Sequence, residues 1–230
     1  MSVAIPQDAR FEIKCVARES EADKLRQWLR LHWACFYRPY PERWVNTVYF
    51  DTLHYFAYTE NLSGASFRTK VRYRWYGRHD FPEKGVVEIK RKRNSFGWKL
   101  RFKVDESPYK KGDAWSCFHR KLVNQMPEEA KIWLQSNPQP IIIIRYLRFY
   151  YATRDTRIRV TIDIKQSVYD QRYKPYPNVS LKANTPVYLV LEVKFSRRDN
   201  AYASRILQGL PLRVSRNSKF MNGVKAVSGD

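Results

Sequence analysis

The residues of this chain that could do chemistry are mostly cations, and they stand two apart. Between Ser66 and Gly77, Arg68, Lys70, Arg72 and Arg74 take every second position, with Thr69, Val71 and Tyr73 between them. Three other stretches set a glutamate two residues before a lysine: Glu12-Ile13-Lys14, Glu88-Ile89-Lys90 and Glu192-Val193-Lys194. Arginine forks grip phosphate oxygens two at a time, and lysines add mobile point charges. Carboxylates repel phosphate unless a divalent cation lies between them, and hard oxygen ligands beside phosphates describe a Mg²⁺ or Mn²⁺ site. The bland alternative for each glutamate is an ion-pair partner that calms nearby lysines. For the cationic run it is a solvated strand face, although protecting a sheet edge takes only one or two charges.

A period of two belongs to β-strands, where alternate side chains point to opposite faces. The same two-faced pattern returns at 10–16, where Phe11, Ile13 and Cys15 share the apolar face, and at 86–92. It returns again at 98–103, with Lys99, Arg101 and Lys103 together, and most strictly at 157–165. Strands are also predicted at 45–51, 141–151 (carrying Arg145 and Arg148) and 187–195. The cluster Asn94-Ser95-Phe96-Gly97 reads as the turn of a hairpin between two cation-faced strands. Helical spacing predicts a helix from an N-cap at Ser20 through Trp28, Leu29 and His32 to Phe36, broken by Pro39 and Pro41. His32 there reads as a core-boundary residue rather than a ligand. A short turn or helix is expected at 55–61 and helices at 114–124, 127–135 and 202–207, with Pro127 suited to a helix start. The segment 216–220 receives no element.

The balance of 43 Lys and Arg against 22 Asp and Glu, a net +21, exceeds what solubility requires and points to a polyanionic partner. Aromatic content of 15 % still supplies a packed interior, so most of the chain is expected to fold. Cys15, Cys35 and Cys117 have no metal-ligand or disulfide spacing, and reduced thiols are expected. The opening Met1-Ser2-Val3-Ala4-Ile5-Pro6 is too short and too soon polar for a secretory leader. The longest aliphatic run, Ile141 to Ile144, is far below a membrane span. There is no GxxxxGK[ST], GxGxxG, HExxH or GxSxG sequence, and the histidines His32, His54, His79 and His119 are scattered.

Many strands with one apolar and one charged face, and few helices to cover an open sheet, favour closure. The expected fold is α+β, a single domain over 1–230 with its core at about 10–220. It is an antiparallel β-barrel forming a charged tunnel, with helices packed on the outside. A tunnel lined with like charge calls for a multiply charged ligand. The run from Arg68 to Arg74 extends about 20 Å, which suits an elongated anion better than a single phosphate.

At this point the motifs resemble a known family. Glu12-x-Lys14, Tyr49-Phe50-Asp51, the Arg68–Gly77 run ending Arg-Trp-Tyr-Gly and Glu88-x-Lys90 resemble the VTC domain. So do Tyr146-x-Arg148, Arg159-Val-Thr-Ile-Asp163, Leu191-Glu192-Val193-Lys194 and Ser218-Lys219. This is the polyphosphate polymerase domain among the triphosphate tunnel metalloenzymes, related to the CYTH group. The resemblance runs from about Arg10 to Phe220, and its specificity lies in the order of the motifs rather than in any one. It implies transfer of the γ-phosphate of ATP to a growing inorganic polyphosphate chain, with Mn²⁺ (or Mg²⁺) as cofactor. By motif it implies phosphate contacts from Lys14, Arg72, Arg74, Lys90, Arg148, Arg159 and Lys219, with Tyr146 and Ser218 positioning them. Arg72, Arg74, Arg148 and Lys219 are assigned to catalysis. Lys99 and Lys194, on the charged strand faces, join the substrate-binding set. Glu192 is the metal residue, with Glu12 and Glu88 beside it, while Arg68 and Lys70 are expected only to set the field at a tunnel mouth.

Two departures matter. The first strand reads Arg10-x-Glu12-x-Lys14 where the CYTH triphosphatases carry Glu-x-Glu-x-Lys, which tilts the expectation from hydrolysis to transfer. The chain also shows neither the regulatory domain nor the membrane helices of the fungal proteins, so their regulation by inositol pyrophosphates and export of product are not carried over. The unpaired cysteines make a cytoplasmic location the expectation, with membrane association through a partner. Tripolyphosphate or nucleoside triphosphate hydrolysis and a non-catalytic polyphosphate sensor are the competing readings. Nucleic acid is not an expected partner, because base stacking needs aromatics beside the cations and here they occupy the opposite strand face.

Overall fold

A computed structural model describes residues 10–94 and 96–229. Ser95 of the expected hairpin turn, and the N-terminal residues read as lacking a leader, lie outside them. Eight strands close in the order β1-β5-β4-β3-β2-β6-β7-β8. They are β1 (Arg10–Arg18), β2 (Arg43–Asp51), β3 (Phe67–Tyr76), β4 (Gly85–Arg93), β5 (Phe96–Val104), β6 (Gln139–Ala152), β7 (Arg159–Asp170) and β8 (Tyr188–Ser196). Every pairing is antiparallel. The barrel expected from the alternating patterns is therefore present. Among the described residues its seam is uneven: β1 pairs with β8 along its whole length, but meets β5 at Arg10 opposite Gly97.

The helices are α1 (Ala22–Leu31), α2 (Phe56–Leu62), α3 (Trp115–Asn124), α4 (Glu128–Ser136), α5 (Asn200–Leu207) and α6 (Lys219–Ser228). Leu25 and Leu29 of α1 and Ala203 and Ile206 of α5 pack on the outer face of β1, β7 and β8, against Cys15, Val160, Ile162, Leu191 and Val193. Phe118, Leu122, Ala130 and Leu134 of α3 and α4 cover Val48, Phe50, Val71, Tyr73, Trp75 and Val87 on the opposite side. Burying each such side chain contributes about 1.5–3 kcal/mol, and this holds the apolar faces outward and the charged faces in.

Two boundaries differ from the sequence reading. Helix α1 stops at Leu31, where His32 turns extended; its Nδ1 accepts from Ala34 N and its Nε2 bonds the Ile206 carbonyl, so the ring ties this corner to α5. Ser20 sits inside a short 3₁₀ turn at Glu19–Glu21 rather than capping α1, and Glu21 accepts from Arg18 N at the turn's start.

Helix α6, where no element was expected, has no such outer position. Its Phe220 and Val224 pack against Val45, Tyr49, Ile142, Ile144, Tyr146 and Val168. Those residues share a strand face with Arg72 and Arg148, by the pairings Tyr49–Arg72, Val45–Tyr146 and Arg43–Arg148. The helix closes one end of the barrel. A glycine eases the approach, since a Cβ at Gly223 would stand 2.7 Å from Ile142 Cδ1 and that side chain would have to shift.

Candidate phosphate tunnel

Inward positions are fixed by strand register, and register decides which charges meet. On the β3–β4 side Arg72 is opposite Glu88, and Glu88 is in turn opposite Arg101 of β5. Glu88 is fully buried and receives Arg72 Nη2 at 2.7 Å, Arg74 Nη1 at 3.2 Å, Lys99 Nζ at 2.8 Å and Arg101 Nε at 3.2 Å. Burial pushes this carboxyl up, but Arg74, Arg72 and Lys99 together hold it well below the usual carboxylate range. Arg72 also donates to Tyr49 Oη at 3.1 Å, and Arg74 Nε to Thr47 Oγ1 at 3.3 Å. Both guanidiniums are thereby held before any ligand arrives. Desolvation lowers Lys99 to about 8, against the pull of Glu88 and with Arg72 and Arg74 adding to the fall.

Across the β1–β8 seam the pairs are crossed, Glu12 opposite Lys194 and Lys14 opposite Glu192. Lys14 Nζ lies 2.8 Å from Glu12 and 3.8 Å from Glu192, Lys90 Nζ is 3.4 Å from Glu12, and Lys194 bridges the two carboxylates. Burial raises the Glu12 carboxyl and Glu192 adds to that, yet Lys90, Lys14 and Lys194 bring it down to about 2. Glu192, likewise buried, is held well below the usual range by Lys194, Lys14 and Arg148. Glu12 and Glu192 therefore form one acidic pair among lysines, whereas Glu88 stands apart in its own basic cage.

The third group gathers at the N-terminus of α6. Asp163 is fully buried and takes Arg148 in a two-point grip at 2.6 and 2.7 Å, and Lys219 Nζ at 2.7 Å. The Tyr146 ring lies under both cations, 5.1 Å from the Arg148 guanidinium and 4.8 Å from Lys219 Nζ. Ser218 caps α6 by accepting from Met221 N and also accepts from Lys70 Nζ at 3.1 Å. Lys14 Nζ reaches the Asn217 carbonyl at 3.0 Å. Desolvation, then Lys90, Lys14, Arg68 and Arg72, drive the Lys70 ammonium well below its ordinary value.

The expected residues thus converge, with one at the edge. Arg159, opposite Lys194 and Ala152, is exposed at the rim. The sequence reading leaves out several participants, Arg101 and Thr47 beside Glu88 and Arg74 among them. Lys70 was assigned to a mouth, yet bonds Ser218 within the lining. Asp163 and Tyr49 were passed over, although both lie in motifs already noted, and an acid alternating with cations on a strand face was the available signal. A cavity of about 560 Å³ lined by Trp115, His119, Pro138 and Tyr173 lies on the outside of the barrel, apart from these charges.

The VTC domain family model matches residues 9–228. The chain belongs to the VTC domain family. Its fold is shared with an adenylate cyclase candidate from Vibrio parahaemolyticus, at TM-score 0.53 and 10 % identity over 95 % of this chain and 98 % of that one. It is shared also with an adenylyl cyclase candidate from Hippeastrum that reveals a dominant triphosphatase activity, at TM-score 0.50 and 13 % identity over 96 % and 95 %. No curated protein sequence matches this one. No helix among the described residues is long and apolar enough to cross a membrane.

Whether the lining of this VTC domain suits a divalent ion can be tested on its donors. No group of three or more His, Cys, Asp or Glu gathers among the described residues. The Glu12–Glu192 pair offers two hard carboxylates, and Thr161, opposite Glu192, has a buried hydroxyl with no hydrogen-bond partner. Two carboxylates and a spare oxygen suit an ion that also takes phosphate oxygens and water, as Mg²⁺ and Mn²⁺ do. Glu88, enclosed by four cations, suits an ion poorly and the fixing of arginines well.

Proposed function

We propose that this VTC domain is a polyphosphate polymerase, moving the γ-phosphate of ATP to the end of an inorganic polyphosphate chain inside the tunnel. The observation that carries the reading is the excess of inward cations: among the described residues Lys14, Arg72, Arg74, Lys90, Lys99, Arg101, Arg148, Lys194 and Lys219 pair with four carboxylates, Glu12, Glu88, Asp163 and Glu192, and Lys70 bonds Ser218 instead. That excess matches the charge of a chain of phosphates and no neutral ligand.

Arg72 and Arg74, held by Glu88, Tyr49 and Thr47, and Arg148 and Lys219, held by Asp163, grip the transferring phosphoryl oxygens without reorganising. A terminal oxygen of the acceptor chain attacks the γ-phosphorus, the bond to the β–γ bridging oxygen breaks, and ADP leaves. No protein nucleophile is needed, and charge developing on the bridging oxygen is met by cations already in place. Lys14, Lys90, Lys99, Lys194 and Arg159 hold the flanking phosphates, and Ser218 and Tyr146 set Lys70, Arg148 and Lys219. A Mn²⁺ or Mg²⁺ ion on Glu192 and Glu12 would supply further neutralisation of phosphate charge.

Incubation with ATP and Mn²⁺ is expected to give long polyphosphate on a gel. Free phosphate alone would favour the hydrolase reading, which the Hippeastrum neighbour keeps in play. Glu192→Gln is expected to lose metal-dependent turnover far more than ATP binding, and wild-type rates in that variant would remove Glu192 from the metal role.

A further inference from the structure

At the end of the barrel away from α6, Arg43 opens β2 directly opposite Arg148. Its guanidinium lies 4.8 Å from the Tyr76 ring centre, 5.0 Å from Tyr150 and 5.4 Å from Tyr40. Tyr40 and Tyr150 meet edge to face at 5.8 Å. Tyr76 and Tyr150 continue the inward faces that carry Arg74 and Arg148, whereas Tyr40 comes from the loop before β2 and is 56 % exposed. Among the described residues no carboxylate forms a salt bridge with Arg43, unlike Arg72, Arg74 and Arg148 deeper in. Aromatics were expected only on the opposite strand face from the cations. At this mouth they share a face with them.

A collar of rings around an uncompensated guanidinium has no evident use for inorganic phosphate, which has no π surface. A nucleotide entering triphosphate first leaves its base behind at the mouth. From Arg72 to Tyr76 is four residues of one strand, about 13 Å, comparable to the extent of a nucleotide from its last phosphate to its base. Resting on the reading of the tunnel as a nucleoside triphosphate site, we propose that Tyr40, Tyr76 and Tyr150 form the nucleobase subsite. The base stacks on the exposed Tyr40 and meets Tyr150, whose ring stands edge to face with Tyr40, at its side, and Arg43 holds the phosphate nearest the ribose. Because every base has a π face, such a collar distinguishes nucleotides from bare polyphosphate without selecting among bases. It gives the donor and the acceptor chain different affinities for the same mouth.

The test measures ATP and inorganic tripolyphosphate binding by calorimetry on the full chain. Tyr40→Ala, at an exposed position, and Tyr150→Leu, as a second variant, are each expected to weaken ATP about tenfold while tripolyphosphate changes by much less. Loss of affinity for both ligands alike, or ATP binding untouched in both variants, overturns the inference. Wild-type protein that binds tripolyphosphate but not ATP overturns it too and leaves the phosphate tunnel standing. Wild-type protein that binds neither ligand overturns the tunnel reading, and the collar with it.

Discussion

Glu88→Gln is the substitution that most directly separates a tunnel built for an anion from an ordinary ion-pair network. Glu88 is fully buried, and the change keeps its shape while removing the carboxylate that, alone among the described residues, forms salt bridges with Arg72 and Arg74. At an effective dielectric near 20, a contact between unit charges at about 3 Å is worth roughly 5 kcal/mol before desolvation. Removing one partner of a buried pair costs about 3–5 kcal/mol, because the other charge stays behind uncompensated. The contacts with half-exposed Arg101 and part-exposed Lys99 add little, since water screens them. Taking the lower figure, and about 2–4 °C per kcal/mol for a chain of this size, the melting temperature without ligand is expected to fall about 6–12 °C. Tripolyphosphate brings the missing negative charge, so it should raise the variant's melting temperature by more than it raises the wild type's. Thermal melts followed by circular dichroism, with and without tripolyphosphate, read both effects. An unchanged melting temperature without ligand, or equal stabilisation of both proteins by tripolyphosphate, would refute Glu88 as the charge that holds Arg72 and Arg74 in an anion-binding lining.

Other outcomes follow from the same charges. Asp163→Asn frees Arg148 and Lys219 from their shared anchor, and turnover is expected to fall more than tenfold with a smaller change in ATP affinity; equal losses in both would make Asp163 a binding residue only. Lys99 titrates at about 8 in the free protein, and an adjacent phosphate would raise it. Below that pH Lys99 already carries its proton. Above it, binding takes one up and affinity falls as pH rises. Calorimetry in buffers of different ionisation enthalpy at about pH 9 should therefore show less proton uptake for Lys99→Gln than for the wild type, and identical uptake would place the ligand elsewhere.

The faces of the strands were legible because period two is local, needing only neighbouring residues to establish. The same holds for closure: the apolar faces at 11–15, 71–75 and 189–195 had to be covered, and the charged ones had to be left facing each other. The partners of each charge were not legible. Glu12, Glu88 and Glu192 stand in the same Glu-x-Lys pattern, yet register puts Glu12 and Glu192 together and sends Glu88 to Arg72 and Arg101. Helix α6 escaped notice for a different reason. Its Phe220, Val224 and Val227 do recur at helical spacing, but what they pack against is the inside of a barrel assembled from strands far away in sequence. Lys70 was misread in consequence, since its partner Ser218 belongs to that helix.

The uneven seam bears on how the chain folds. β1 has a full-length partner only in β8, with Arg10 joined to Ser196 and Arg18 to Tyr188, while its other edge is met by little more than Gly97 and the bridge from Cys15 to Val214. Of the described strands, the first made must wait for the last. At synthesis rates of about 5–20 residues per second that wait is on the order of ten seconds, and pairing across so long a stretch is slow in its own right. Through that interval β2, β3, β4 and β5 can pair as a meander of neighbours, while β1 waits for its strand partner with α1 alone at hand to cover its apolar face. Barrel closure then comes late, and the waiting edge of nascent β1 is the segment that chaperones would be called on to shield.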